Sequence, residues 1–193
     1  MEERVKSRFF MNVKENNKIP IIILHHKKNT ISYLRRILAW FTRCKTGHSL
    51  SLYVAYEEIP DSLKNTYSDI KFVSFPKLDY DILNRELKLI GEFNYYFITS
   101  SSILPKENCP SNSIDFLISL ARKYPTMKKV GLSLEINDLP EIQSKPDRII
   151  EEEQHWQNLM PDKDTYYADI NDSFAVYQRY VQGDCALRSR RPY

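Results

Sequence analysis

The sequence predicts an α/β protein, a three-layer α/β/α sandwich around a mostly parallel central sheet. Two observations lead to this class. Short apolar runs, such as Ile21–Leu24, alternate along the chain with segments whose apolar residues recur at helical spacing. Polar loops also follow the apolar runs directly, which is typical of open sheets whose strands are buried on both faces.

The first half of the chain predicts three strands and one helix. Ile21–Leu24 is wholly apolar, as expected for a central strand, and the polar loop His25–Asn29 follows it. A helix begins after Thr30, a residue type that caps helices, and continues through Phe41 with its apolar residues on one face. Leu50–Tyr56 is the second predicted strand, and Lys71–Phe75 is a third, edge-type strand.

The second half continues the alternation and ends in one or two short strands. The predicted elements are a helix over Asp79–Ile90, a strand over Asn94–Thr99, a helix over Ser111–Tyr124, a strand over Lys129–Leu134, a helix over Pro146–Leu159, and the short strands within Tyr166–Tyr177. The inward positions of these elements predict a core that includes Ile22, Ile23, Leu38, Phe97, Leu117 and Leu132.

Composition places the chain among ordinary globular proteins. The 193 residues are 42% hydrophobic and 27% charged, and no apolar run approaches the roughly 18 residues of a membrane span. The three cysteines are far apart and form no CxxC pair, so a reducing cytoplasm is the simplest location. We expect a basic lead-in over residues 1–17 and a single domain over 18–193.

Positive charge is concentrated at the beginning of the chain. Residues 1–50 contain eleven Lys or Arg against three acids. Such a segment is typical of contact with diphosphates, anionic lipid or nucleic acid, and also of a plain solvated surface, which is the simplest interpretation. The sequence has no nucleic-acid-binding motif, so nucleic acid is not an expected partner, whereas peripheral contact with an anionic membrane stays open.

Three polar loops are expected to form one binding site. The strand ending in Tyr95–Thr99 leads into Ser100–Ser102, and the strand that begins near Lys129 leads into Asn137–Asp138. Because parallel strands deliver their following loops to the same edge of a sheet, we predict that these loops and His25–Asn29 converge on one small-molecule cleft.

Four phrases of the sequence are similar to one protein family. They are YYFITSSSILP followed by CPS, then KKVGLSLEINDLPE, then EEEQHW, and finally YYADINDSFAVY. With these phrases in order, the chain from about Ile19 to Tyr193 resembles small GT-A-type glycosyltransferases of the family-2-like kind. The family usually continues beyond a Pro-Tyr like Pro192-Tyr193, so the resemblance implies that a C-terminal, acceptor-side segment is missing.

The resemblance implies a GT-A-like domain that passes a sugar from a nucleotide-diphosphate sugar to a glycan, lipid-linked or protein acceptor. It implies Asp138 as a catalytic general base and Glu152 as either the base or an acceptor-sugar ligand, with Asn137 and Trp156 in contact with the acceptor or the sugar. The implied donor-binding residues are His25, His26, Lys27, Asn29, Ser100, Ser101 and Ser102.

The sequence departs from the family at its metal-binding acids. The family motif is Asp-x-Asp, whose carboxylates hold Mg²⁺ or Mn²⁺ against the diphosphate, and the matching positions here are Ser100 and Ser102. Two interpretations follow. Either the enzyme uses no metal and lysines or arginines neutralise the diphosphate, or the chain is a catalytically degenerate binding or scaffold domain.

Other enzyme classes lack their motifs. The chain has no G-x-S-x-G, no G-x-G-x-x-G and no P-loop, and it contains four glycines in all. Serine hydrolases of the α/β type, dinucleotide-dependent enzymes and P-loop phosphotransferases are therefore poor candidates.

Overall fold

The computed structural model describes residues 18–75, 93–133, 145–170, 174–181 and 185–192. Eight strands within these residues form one sheet. Their bounds are β1 Lys18–His25, β2 Ser49–Tyr56, β3 Lys71–Ser74, β4 Tyr95–Ser100, β5 Lys129–Ser133, β6 Thr165–Tyr167, β7 Ala175–Gln178 and β8 Ala186–Pro192. The four described helices are α1 Ile31–Arg43, α2 Asp61–Thr66, α3 Ser113–Lys123 and α4 Lys145–Gln154.

The order of the strands confirms a mostly parallel sheet. They lie in the order β3-β2-β1-β4-β7-β5-β8-β6. β1, β2, β3 and β4 are mutually parallel, and β5 and β8 run in the same direction as they do. β7 is antiparallel to both β4 and β5, and β6 is antiparallel to β8. The carboxyl ends of six strands therefore point to one edge of the sheet.

β1 lies near the centre and supplies both faces of the core. Ile21 and Ile23 pack into the larger apolar cluster with helices α1 and α3, whereas Ile22 and Leu24 belong to a second cluster on the opposite face. This division follows from the alternation of side chains along a strand. All six residues predicted for the core are buried, namely Ile22, Ile23, Leu38, Phe97, Leu117 and Leu132.

Helices cover both faces, which makes the three layers. Helices α1, α2 and α3 bury apolar residues in the larger cluster. Leu187 of β8 faces the larger cluster, so the side chain of the next residue, Arg188, points to the opposite face of the sheet. Because Glu152 of helix α4 contacts Arg188, helix α4 lies on that opposite face. No helix within the described ranges has the length and apolarity needed to cross a membrane.

Several elements differ from those predicted. Helix α2 and strand β8 were not predicted, and the short strands expected within Tyr166–Tyr177 are β6 and β7. Helix α4 ends at Gln154, so Trp156 lies in the turn that follows instead of in the helix. The helix predicted over Asp79–Ile90 falls outside the described residues, as do the lead-in over 1–17 and the loop containing Asn137 and Asp138.

Candidate functional site

Two of the three predicted loops meet at the carboxyl edge of the sheet, and Ser101 joins them. The Ser101 N–H donates to the Leu24 carbonyl at 2.9 Å. Its hydroxyl lies 2.8 Å from Nδ1 of His25 and accepts a hydrogen bond from Nδ2 of Asn29 at 3.1 Å. Ser101 and His25 are buried, and Asn29 is half-buried. The end of β4 is thus fixed to both ends of the loop after β1.

The loop after β1 is a tight turn that leads into helix α1. The Asn29 N–H donates to the His26 carbonyl at 2.8 Å, and the helix begins two residues later with no acid in its first turn. Lys28, at the tip of this turn, is exposed, and its side chain makes no hydrogen bond or ion pair with any described residue. As far as the described residues go, the turn therefore presents one uncompensated cation at the edge.

Ser100 and Ser102 form a hydroxyl pair. Their Oγ atoms lie 2.8 Å apart, and the Ser102 N–H also donates to Ser100 Oγ at 3.3 Å. Ser100 is buried and Ser102 is exposed. Because each hydroxyl is the other's partner, the pair can present dipoles to a ligand but no negative charge.

The Ser100–Ser102 pair does not fit a divalent metal. Mg²⁺ and Mn²⁺ prefer carboxylate oxygens, and Ser100 and Ser102 supply neutral hydroxyls instead. Within the described ranges, no group of three or more His, Cys, Asp or Glu side chains is arranged to hold a metal ion.

Two acids at the end of β2 also belong to this edge, and sequence reasoning missed them. Oε2 of Glu57 accepts a hydrogen bond from the Lys27 N–H at 2.8 Å, and its Oε1 lies 3.7 Å from Nδ1 of His26. Glu58 forms an exposed ion pair with Lys27 at 2.9 Å. The available signal was their position directly after the predicted strand that ends at Tyr56. These contacts leave Lys27 and His26 partly neutralised, in contrast to Lys28.

Burial lowers the pKa of His25. The positive charge that His26 can carry lowers it further, and the carboxylate of Glu57 opposes both effects. His25 is therefore a neutral imidazole at pH 7, and it acts through hydrogen bonds and not through charge.

Glu152 lies beside β8, and Trp156 lies in the turn after helix α4. Oε2 of Glu152 accepts a hydrogen bond from Nη1 of Arg188, whose side chain is completely buried. Nε of Arg188 donates to the Asp169 carbonyl, and its Nη2 is buried without a hydrogen-bond partner among the residues that the structure describes. Trp156 is 36% exposed. Sequence reasoning missed Arg188, because an arginine in a polar segment carries no signal of burial.

The structure thus brings together His25, Asn29 and Ser101, with Ser100, Ser102, His26 and Lys27 beside them. Asn137 and Asp138 fall outside the described residues, so their approach to this edge stays a prediction. The edge can bind a polar, anionic ligand through Lys28, the hydroxyl pair and backbone groups.

Comparisons with known proteins identify the fold. No family model matches the sequence, and no curated protein does. Residues 1–349 of S. aureus TarS align with 91% of this chain and 59% of their own length, at 8% identity and a TM-score of 0.54. A CMP:2-keto-3-deoxy-manno-octonic acid synthetase, solved with CTP, aligns with 85% of this chain and 75% of its own, at 10% identity and a TM-score of 0.50.

A third solved structure is a mannosyltransferase from Pyrobaculum calidifontis in complex with GDP-Man and Mn²⁺. It aligns with 91% of this chain at 13% identity and a TM-score of 0.46, and this chain spans 50% of its length. Together with the strand order, the two higher-scoring matches show a GT-A-like fold.

Proposed function

We propose that this protein is a glycosyltransferase that binds a nucleotide-diphosphate sugar where the loops after β1 and β4 meet. The single observation that carries the proposal is the junction at Ser101, which brings His25 and Asn29 to the carboxyl edge of the sheet beside Ser100 and Ser102. In an open α/β sheet, ligands bind at this edge, where the strand order reverses. Here the order turns between β1 and β4.

The donor diphosphate is neutralised by protein cations and dipoles without a divalent metal. Lys28 has no partner among the described residues and stands at the tip of the β1–α1 turn, so it is the cation we assign to the diphosphate. One hydrogen of the Ser100–Ser102 pair is used between the two hydroxyls, and the other donates to a phosphate oxygen in place of the metal-binding acids. Lys27 contributes less, because Glu58 already pairs with it.

The transfer itself requires a base and a leaving group. The acceptor hydroxyl oxygen attacks the anomeric carbon of the sugar, and the bond from that carbon to the diphosphate oxygen breaks with its electrons. A carboxylate takes the acceptor proton, and we assign this role to Asp138. Glu152 is the weaker candidate, because the buried Arg188 already holds one of its oxygens. Asn137 and Trp156 are assigned to sugar or acceptor contacts, and the acceptor is a glycan, a lipid-linked sugar or a protein.

A second candidate function is donor binding without turnover. The neutral hydroxyl pair at Ser100 and Ser102 favours it, because two dipoles stabilise the leaving diphosphate less than a metal held by two carboxylates does. A degenerate domain of this kind would serve as a partner or scaffold. Cytoplasmic location, with peripheral contact to anionic membranes through the basic first segment, stays a prediction.

A thermal-shift panel of UDP-, GDP- and ADP-sugars tests the proposal, because a ligand that binds the native state raises the unfolding temperature. We expect at least one donor to stabilise the wild type and to stabilise Lys28→Ala much less. Lys18→Ala is the matched control, since Lys18 is an exposed lysine at the opposite end of β1. Release of nucleoside diphosphate from the binding donor, with an added acceptor, separates transfer from binding alone. A panel without any shift contradicts the proposal.

A further inference from the structure

We propose that Ser101 is a positioning residue of the donor site, which holds His25 as the Nε2–H tautomer and fixes Asn29 at the base of the β1–α1 turn. The effect of Ser101 on donor binding rests on the proposed function. The contacts of Ser101 with His25 and Asn29 do not depend on that function.

Ser101 is buried, whereas some of its neighbours at this edge of the sheet are exposed. Ser101 is 0% exposed and His25 is 1% exposed, whereas Ser102 and Lys28 reach the solvent. A hydroxyl without accessible surface does not contact a ligand, so Ser101 acts through the groups that it touches. Those groups lie 72 and 76 residues away in sequence, at Asn29 and His25.

The tautomer of His25 follows from counting donors and acceptors. Ser101 accepts from the Asn29 amide, so its own hydrogen needs an acceptor, and a buried hydroxyl hydrogen without one is costly. Nδ1 of His25, at 2.8 Å, is the acceptor available among the described residues. Nδ1 therefore carries a lone pair and Nε2 carries the hydrogen. Burial also favours the neutral ring by lowering its pKa.

The same hydroxyl fixes the loop that carries Lys28. Asn29 donates its side-chain amide to Ser101 and its N–H to the His26 carbonyl, so the turn is held at two points. Without the hydroxyl, the Asn29 amide loses its acceptor and the Nδ1 lone pair loses its donor. The turn then keeps its backbone hydrogen bond and the contact of the Lys27 N–H with Glu57, but it loses the anchor at Asn29, and Lys28 is ordered less well toward the diphosphate.

The test compares wild type with Ser101→Ala by NMR of the histidine ring nitrogens. Four histidines are present, and a His25→Gln spectrum assigns the His25 signals. We expect the Nε2–H tautomer in wild type and a mixture of tautomers in Ser101→Ala. Ser113→Ala is the matched control, because Ser113 is also a buried serine but bonds the Pro110 carbonyl, and it should leave the His25 signals unchanged. Circular dichroism establishes that each variant is folded.

Calorimetric titration with the best donor of the panel supplies the second measurement. We expect Ser101→Ala to weaken binding about tenfold, as one lost hydrogen bond predicts, and Ser113→Ala to leave it unchanged. An Nδ1–H tautomer in wild type, an unchanged tautomer in Ser101→Ala, or equal donor affinities overturn the inference. A wild type that binds no donor instead overturns the proposed function and the role of Ser101 in donor binding. In that case the NMR signals of the His25 ring still show whether Ser101 sets its tautomer.

Discussion

Arg188, in strand β8, is completely buried and donates a hydrogen bond from Nη1 to Oε2 of Glu152 on helix α4. This pair ties the helix to the sheet on the face opposite helices α1 and α3. Since a buried guanidinium without a partner is strongly unfavourable, Glu152 has a structural role whether or not it also takes part in catalysis. Loss of activity on changing Glu152 would therefore not by itself identify a catalytic base.

Glu152→Ala should lower the free energy of unfolding by about 3–5 kcal/mol, because it leaves the Arg188 charge buried and unpaired. Glu153→Ala is the matched control, since Glu153 is the adjacent acid and is exposed, and it should change stability by less than about 0.5 kcal/mol. Urea unfolding followed by circular dichroism measures both. Removing both partners, as in Glu152→Leu with Arg188→Met, should recover part of the loss, and equal stability of Glu152→Ala and Glu153→Ala would contradict the assignment.

Asp162→Asn should destabilise the protein by about 2 kcal/mol at pH 7, because the Asp162 carboxylate accepts hydrogen bonds from Tyr124, Thr165 and Lys123. Burial disfavours the charged form, but these bonds and the Asp164 N–H outweigh it and hold the pKa well below the usual 3.8. The Asp162 carboxylate thus stabilises the folded state above pH 3.8, and this stabilisation is lost as the pH falls further. Urea unfolding at several pH values should show the two proteins converging in acid, with Asp164→Asn, an exposed neighbour, behaving like wild type.

His25 should make stability fall as the pH drops below about 6.5. Its pKa is lowered in the folded state, so between that value and 6.5 the unfolded chain binds more protons and acid favours unfolding. In His25→Gln this part of the pH dependence should disappear, whereas His48→Gln should retain it. Thermal unfolding between pH 5 and 7.5 measures the slopes. Parallel curves for wild type and His25→Gln would mean that His25 titrates normally.

Gly131→Ala should destabilise the protein by about 1–3 kcal/mol through overpacking. A Cβ at Gly131 would lie 2.8 Å from Cδ1 of Ile170 and 3.2 Å from Cβ of Ala175. Ile170→Val in the same chain removes that Cδ1 atom and should restore part of the loss. Gly47→Ala is the control, because nothing lies within 4 Å of a Cβ there. Urea unfolding of the three variants would refute the contact if Gly131→Ala and Gly47→Ala were equally stable.

The strands that carry the candidate site were predictable because their signal is local. The apolar run Ile21–Leu24 and the segment Asn94–Thr99 each indicate a buried strand, and the polar residues after them fall at the same edge once the strands are parallel. The meeting of His25 with Ser100–Ser102 could therefore be expected. The direct bond from Ser101 to His25 could not, because the register between two strands is set by tertiary packing.

Strand β8 was not predicted, because its sequence, ALRSRRP, is mostly polar and is typical of a solvent-exposed segment. Its Arg188 is buried only because the Asp169 carbonyl and Glu152 supply acceptors from elsewhere in the chain. A hydrophobic pattern indicates where apolar groups are buried, but it does not indicate a charged side chain that is buried with a partner. For the same reason, the sequence did not reveal that Glu57 contacts His26, that Glu58 pairs with Lys27, and that Lys28 is the cation of the turn without a partner among the described residues.

Calorimetric titration of the wild type with nucleotide-diphosphate sugars, once with Mn²⁺ and once with EDTA, tests the central claim most directly. We expect one donor to bind with affinities that agree within about twofold in the two conditions, because Lys28 and the Ser100–Ser102 pair take the place of the metal site. The double variant Ser100→Asp with Ser102→Asp should make binding metal-dependent. Failure of every donor to bind, or binding in Mn²⁺ that EDTA abolishes in the wild type, would contradict the account.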